Sequence, residues 1–350
     1  MIFCAQSAFG FWRTPPQVLA VLPAVPQPGS QGERMSFHDH PTVRYVLGCP
    51  FHTLVFDQAS RTNAKYNQTH LWSGKLPAGA LIEVGGIGTV TSPLFTLLTM
   101  APSVTPVELA MAMYEFCGEF SVYNPPEEYE NMTQRHARPG EWSRVFESSG
   151  RSTSLWMRPA LISIDDLRDF ANSIKGMRGA RTFREAAAMV LGVTRSPFEA
   201  QACLLLGSKR TQGGYGLTLR TNEVLRLDQQ AKRLAQRDYC VADIYLESPD
   251  GTRCVDVECQ GAAVHSSLGS ASSDADRTTA LESMGVSVVL MSYGQLVHTD
   301  RLKLVVELIA EKLGVKIAPK SARMVAAESK LRHQLFIDWR SLCGLRQSIA

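Results

Sequence analysis

The residues most suited to chemistry in this 350-residue chain form an ordered acidic set: Asp243, then fourteen residues, then Glu258 and Gln260, with Glu199 upstream and His265 and Arg277 downstream. Residues 240–247 and 253–259 are rich in β-branched, aromatic and aliphatic side chains and read as two strands. Between them Asp250-Gly251 predicts a two-residue type I′ turn, whose central positions both need positive φ. A hairpin centred there sets Asp243 directly opposite Glu258, with Cβ atoms about 5 Å apart. Two carboxylates that close repel unless one is protonated or a cation lies between them. A hard divalent cation held by oxygen ligands, Mg²⁺ or Mn²⁺, is the expected occupant. Gln260, two residues beyond Glu258, points to the same face. Asp256 shares that face, but its expected cross-strand partner is Tyr245, which leaves it outside the expected metal shell.

A cation held there could serve a hydrolytic reaction, that of a phosphodiester among them. The reaction needs an activated water, an in-line approach and charge stabilisation on the leaving oxygen, and Mg²⁺ with open positions serves all three. Asp243 and Glu258 would bind the ion, with the carbonyl of Cys259 as a third oxygen. Glu199, one turn into a helix opened by Ser196-Pro197, would hold a water or a second ion; a carboxylate merely stabilising its own helix end is the alternative. Gln260 can orient a water but cannot act as a base. His265 titrates nearest neutrality and is the candidate for proton transfer, against the plainer reading of a histidine in a Ser-rich loop. Asp274 and Arg277 are spaced for an i,i+3 helical ion pair.

Taken in order, these features resemble the PD-(D/E)xK nuclease superfamily. The run Glu258-Cys259-Gln260-Gly261, then His265, Asp274-x-x-Arg277, Leu281, Gly285 and a strand over 286–292, is similar to nucleases related to very-short-patch-repair endonucleases. The resemblance spans roughly residues 167–315. It implies a restriction-endonuclease-like α/β/α core with a mixed sheet, Mg²⁺-dependent cleavage of DNA, and Arg277 facing a phosphate. The sequence departs from the superfamily at Gln260, where Lys is usual; some restriction enzymes carry another residue there, and the very-short-patch group uses a nearby His. Two functions follow from the resemblance: a metal-dependent endodeoxyribonuclease, or a catalytically silent nuclease fold that binds DNA as a regulator or antitoxin-like component.

The elements that must position these residues read as α/β. Helices are expected over 182–190 and 196–206, following one capped by Ser163 with Asp165 and Asp166 in its first turn. A first strand is expected over 216–227 and a short basic helix or loop over 228–237. Beyond the hairpin come a helix over 274–284, a strand over 286–292 and a long helix over 294–313. Residues 161–315 therefore form the nuclease-like domain, with a basic helical tail over 316–350 that holds seven Lys or Arg against two acids. That tail is either a solvated helix or a phosphate contact.

Upstream, a segment and linker over 1–41, a smaller α+β region over 42–123 and a polar connector over 124–160 are expected. Strands are read over 43–46, 53–56 and 80–84, a turn at the glycine cluster 85–88, and helices starting at Ser92-Pro93 and Thr105. Ser7 is placed as a helix cap. His38-Asp39-His40 reads as polar linker in preference to a metal site. Ser7-Ala8, Val90-Thr91-Ser92-Pro93 before Leu97-Leu98, and Glu115-Phe116-Cys117-Gly118 resemble abortive-infection antitoxin-like regulators, which implies a module that binds DNA or a toxin-type partner; the residues show no recognition helix, and a scaffold for the nuclease-like domain is the alternative, with a homodimer as the other expected partner.

Composition narrows the class. A hydrophobic share of 45% with 20% charged residues is that of an ordinary globular protein. The formal charge of +3 is too small to argue for nucleic acid by itself. Eight cysteines without C-x-x-C pairs suggest reduced thiols and a cytoplasmic setting in place of a disulfide framework or a structural zinc site. No apolar run is long enough to span a bilayer.

Overall fold

The computed structural model describes residues 1–26, 37–134, 142–147, 149–261 and 268–347. The chain is mixed α/β and divides into two units. One comprises Met1–Arg144, Ser154–Ala188 and Ile337–Ala350; the other comprises Val145–Thr153 and Met189–Phe336. The second is thus an insertion in the chain of the first. The division places the helices Ile164–Ser173 and Ala180–Ala187 in the first unit and most of the basic tail in the second.

Residues 1–22 lie at the heart of the first unit. Its six-stranded sheet has the order Asn63–Ala64, Asn67–Leu71, Phe51–Val55, Ile2–Phe3, Gly88–Thr91, Leu81–Val84. Two residues are too short a strand to show an alternating pattern, so Ile2–Phe3 leaves no strand signal in the sequence. The helix Ala5–Arg13 follows it and buries Ala8, Phe9 and Phe11. Ser7 lies inside that helix and caps nothing; its Oγ accepts the backbone N–H of His52 at 2.7 Å. The strand expected over 43–46 is a helical turn, Val43–Leu47. Its buried residues are Val43, Val46 and Leu47, an i, i+3, i+4 spacing that belongs to a helix. The glycine cluster is a hairpin turn, with Val84 paired to Gly88 and Gly86 at φ +76°. Thr105 and Ser163 each close a full capping box, with Glu108 and Asp166 respectively.

A buried ion pair ties this unit together. Arg13 and Glu115 are both fully buried, and Arg13 Nε donates to Glu115 Oε1 at 2.8 Å. The remaining guanidinium nitrogens donate to the carbonyls of Trp339 and Arg340. Glu115 also accepts from Ser121 Oγ, the Val122 N–H and the Trp339 indole.

In the second unit, α1 (Pro197–Gly207) precedes β1 (Leu219–Arg226), α2 (Gln229–Ala235), β2 (Tyr239–Glu247), β3 (Cys254–Gln260), α3 (Leu268–Ser283) and β4 (Val286–Ser292). The sheet order is β1-β2-β3-β4, with the first two pairings antiparallel and the last parallel. Leu227, Ala231, Cys240, Ala242, Ala280 and Leu281 pack α2 and α3 against the strands. The single helix expected over 294–313 is two, α4 (Tyr293–Val297) and α5 (Thr299–Leu313), broken at His298, whose ψ of 118° is extended. Ser292 starts α4 abruptly at the end of β4 through a capping box with Gln295.

The tail forms α6 (Ala322–Leu335) and spends two of its cations internally. Lys320 Nζ lies 2.8 Å and Arg332 Nε 3.0 Å from the two oxygens of the buried Glu328. Lys320 also sits over the Tyr215 ring at 3.7 Å. These two charges are structural, which narrows any phosphate-contacting role of the tail to the others. Among the described residues, no helix is long and apolar enough to cross a membrane.

Candidate active site

The hairpin loop differs from the expected one while leaving the register intact. Ser248 closes the loop by donating to the Arg253 carbonyl, and the Gly251 N–H donates to the Ser248 carbonyl. Four residues therefore lie in the loop. Gly251 alone of the central pair has positive φ, at +69°. Ser248-Pro249-Asp250-Gly251 carries the residue preferences of a type I turn, with Ser first, Pro second and Gly fourth. Asp250 locks the loop by accepting from the Ser248 hydroxyl and from the N–H and hydroxyl of Thr252. A four-residue loop centred on the same dipeptide preserves the pairing, so Glu247 faces Cys254, Tyr245 faces Asp256 and Ile244 faces Val257.

The next step would pair Asp243 with Glu258, and there the paired positions end. Asp243 Oδ2 accepts the Cys259 backbone N–H at 3.0 Å, so the side chain takes over where the ladder stops. Like charges placed directly opposite are destabilising, and parting the strands relieves them. The other edge of β2 is irregular at the same point: Asn222, between the paired Thr221 and Glu223, has φ +49° and donates through its side chain to the Val193 carbonyl. β3 nonetheless stays paired to β4 through Gln260, so Glu258 and Gln260 stand on firm backbone.

Glu199 arrives as the third residue of α1, and both of its oxygens are engaged by its own helix end. Oε1 accepts from Ser196 Oγ at 2.8 Å and Oε2 from the Arg195 N–H at 2.7 Å, while Ser196 Oγ accepts the Glu199 N–H. The capping alternative is thus realised in geometry. The carboxyl is buried all the same, and burial, with Glu258 adding to it, raises its pKa.

At Asp243, burial, then the charges of Glu258 and Glu199, push the pKa up to about 8. Asp256 is pushed up by burial and by Glu258 in the same way. Asp256 faces Tyr245 across the strands as expected, but the carboxylate's chemical partners lie along its own strand and on α3, so the face it shares with Glu258 decides its surroundings and the cross-strand partner does not.

Arg277 on α3 supplies the answering charge. One nitrogen, Nη2, donates to Glu258 Oε1 at 2.5 Å, to Asp256 Oδ2 at 2.9 Å and to the Val241 carbonyl at 2.8 Å. Burial would lower its pKa, but Glu258 and Asp256 more than offset this and hold it above its usual value. A small pocket is lined by Glu258, Cys259, Gln260, Asp274, Arg277 and Thr278 among others. The structure thus brings together Asp243, Glu258, Gln260 and Arg277, adds Asp256, and keeps Glu199 in electrostatic reach. His265 lies outside the described residues.

Among the described residues, no three His, Cys, Asp or Glu side chains form a ready-made metal cluster. The donor set still suits Mg²⁺, which commonly takes one or two protein carboxylates and leaves its other positions to water and substrate phosphate. Asp243 and Glu258 are the residues that would hold it. All eight cysteines are free thiols, and burial raises that of Cys259. No protein-family model, no curated protein and no solved structure matches the chain.

Proposed function

We propose that the second unit is a metal-dependent nuclease of restriction-endonuclease-like type that hydrolyses DNA phosphodiester bonds. The observation that carries this reading is the convergence of Asp243 and Glu258 where the β2–β3 ladder parts, with Glu258 adding to the raised pKa of Glu199 and both adding to that of Asp256. A fold gains nothing in stability from gathering buried acids, so a ligand that needs them is the economical explanation. A divalent cation bound by Asp243 and Glu258 would supply Lewis acidity at a phosphoryl oxygen and make a water more acidic. The chain's own contributions are local. Asp243 is oriented by the Cys259 N–H, Gln260 offers an amide to a water or phosphate oxygen, and Arg277 brings a guanidinium to the pocket. Glu199 adds negative charge from the end of α1 and so favours cation entry.

A second reading has its own support. Arg277 already answers Glu258, and Gln260 has no ammonium to offer, as a silent nuclease fold serving as a DNA-binding regulator would require. Nicking of supercoiled plasmid in Mg²⁺ or Mn²⁺, with a chelator control, separates the two. Cleavage by the wild type that is lost in Asp243→Asn and Glu258→Gln supports the nuclease. Salt-sensitive DNA binding that ignores divalent metal, without cleavage, selects the regulator.

A further inference from the structure

Arg277 stands where a cation is called for, and the way it is held is unusual for a structural pair. A single nitrogen serves three acceptors drawn from two neighbouring strands: the Val241 carbonyl of β2, and Asp256 and Glu258 of β3. The guanidinium is 12% exposed, Glu258 is 19% exposed and Asp256 is fully buried. Asp256 and Glu258 also share a side-chain hydrogen bond, so the two acids and one guanidinium form a single cluster and Asp256 is more than one half of an ordinary salt bridge. It is better explained as a partner that Arg277 needs under a second condition.

We propose that Arg277 is a displaceable counter-cation: divalent metal entering at Asp243 and Glu258 releases the guanidinium from Glu258, while Asp256 and the Val241 carbonyl retain it on the sheet. The inference rests on the metal-dependent reading above and adds its regulation. Without Asp256, the released guanidinium would be left partly buried with no anion beside it, a costly state. With Asp256 and the Val241 carbonyl it keeps two hydrogen-bond acceptors whether or not metal is bound. Competition of this kind weakens metal affinity in the resting protein. It also leaves the arginine beside the pocket lined by Gln260 and Thr278, where an incoming anion would meet it.

Two measurements on the full chain test this. In protein labelled with ¹⁵N-arginine, the Nε–H resonance of Arg277, assigned by its absence from Arg277→Lys, is followed as Mg²⁺ is added. The expected result is a shift whose midpoint matches the Mg²⁺ isotherm from calorimetry and which is missing in Asp243→Asn. A resonance that stays in place while calorimetry shows saturation overturns the inference. Free Mn²⁺ is then counted by electron paramagnetic resonance. Arg277→Gln should bind Mn²⁺ at least tenfold more tightly than the wild type, and Arg277→Lys, which keeps the charge but loses the planar fork, should fall between them. Equal affinities in all three overturn the inference alone and leave the metal-dependent reading standing. Absence of Mn²⁺ binding in both wild type and Arg277→Gln at millimolar metal overturns both. If Arg277→Gln does not fold, the resonance of the native protein decides.

Discussion

Arg13–Glu115 and Arg277–Glu258 are both guanidinium–carboxylate pairs, the first fully and the second partly buried, and they are built on opposite balances. Around Arg13 the bases outnumber the acid: a second buried guanidinium, Arg158, lies beside Glu115 and donates to its carbonyl. Five carbonyl, hydroxyl, indole and backbone groups complete the hydrogen bonding of Arg13 and Glu115. Around Arg277 the acids outnumber the base: two share one nitrogen, a third is Asp243, and Glu199 adds a fourth in electrostatic reach of Glu258. Burial and mutual repulsion hold Asp243 and Asp256 toward their protonated forms. Burial of an ion pair therefore says little by itself; the ratio of acids to bases separates a strut from a site.

The largest effect expected from this contrast is at the strut. Glu115→Ala leaves Arg13 charged and fully buried, and should cost the first unit about 3–5 kcal/mol, read by calorimetry or hydrogen exchange. A loss below about 1 kcal/mol would erase the distinction drawn here. Glu328 supplies an intermediate case, one acid serving Lys320 and Arg332. Glu328→Gln should cost the second unit about 2–3 kcal/mol by the same measurement, since it strands two cations that are each about nine-tenths buried.

At the site the sign reverses. Asp243 holds its proton more tightly folded than unfolded, so between about pH 4 and pH 8 the unfolded chain binds fewer protons and stability falls as pH rises. Asp243→Asn should flatten that slope and raise the metal-free Tm at pH 8 by a few degrees, while abolishing Mg²⁺-dependent cleavage. A metal-free Tm that climbs from pH 5 to pH 8 in the wild type would contradict the charge surplus. The smallest effect belongs to the exposed pair Arg181–Glu185. Arg181→Ala should leave Tm unchanged within error, because screened surface pairs contribute little.

Much of the second unit was legible because its signals are local. The register of β2 and β3 could be read from the position of Asp250-Gly251 even though the turn is of another type, since a loop lengthened evenly on both sides preserves the pairing. The strand Val286–Ser292 was readable as a Val-, Leu- and Met-rich run without alternation, bounded by Gly285 and Ser292. What escaped was non-local. That Arg277 would reach across to Asp256 and Glu258 depends on how α3 lies on the sheet, which i,i+3 spacing does not encode. Ile2–Phe3 was invisible because its strand is defined wholly by partners about fifty and ninety residues away, Thr53 and Val90. The break at His298 was hidden by an amphipathic pattern that runs through it.

The division of the chain has a consequence for the order of synthesis. Arg13 and Glu115 complete their hydrogen bonds only when Trp339 and Arg340 are present, yet every residue of the second unit is translated before those two. On a ribosome the acidic site can therefore be assembled while the first unit still waits for its keystone. During that interval a guanidinium and a carboxylate destined for full burial remain hydrated. Pulse-labelling hydrogen exchange on stalled nascent chains should find β2–β3 amides protected earlier than those of the helix Ala5–Arg13.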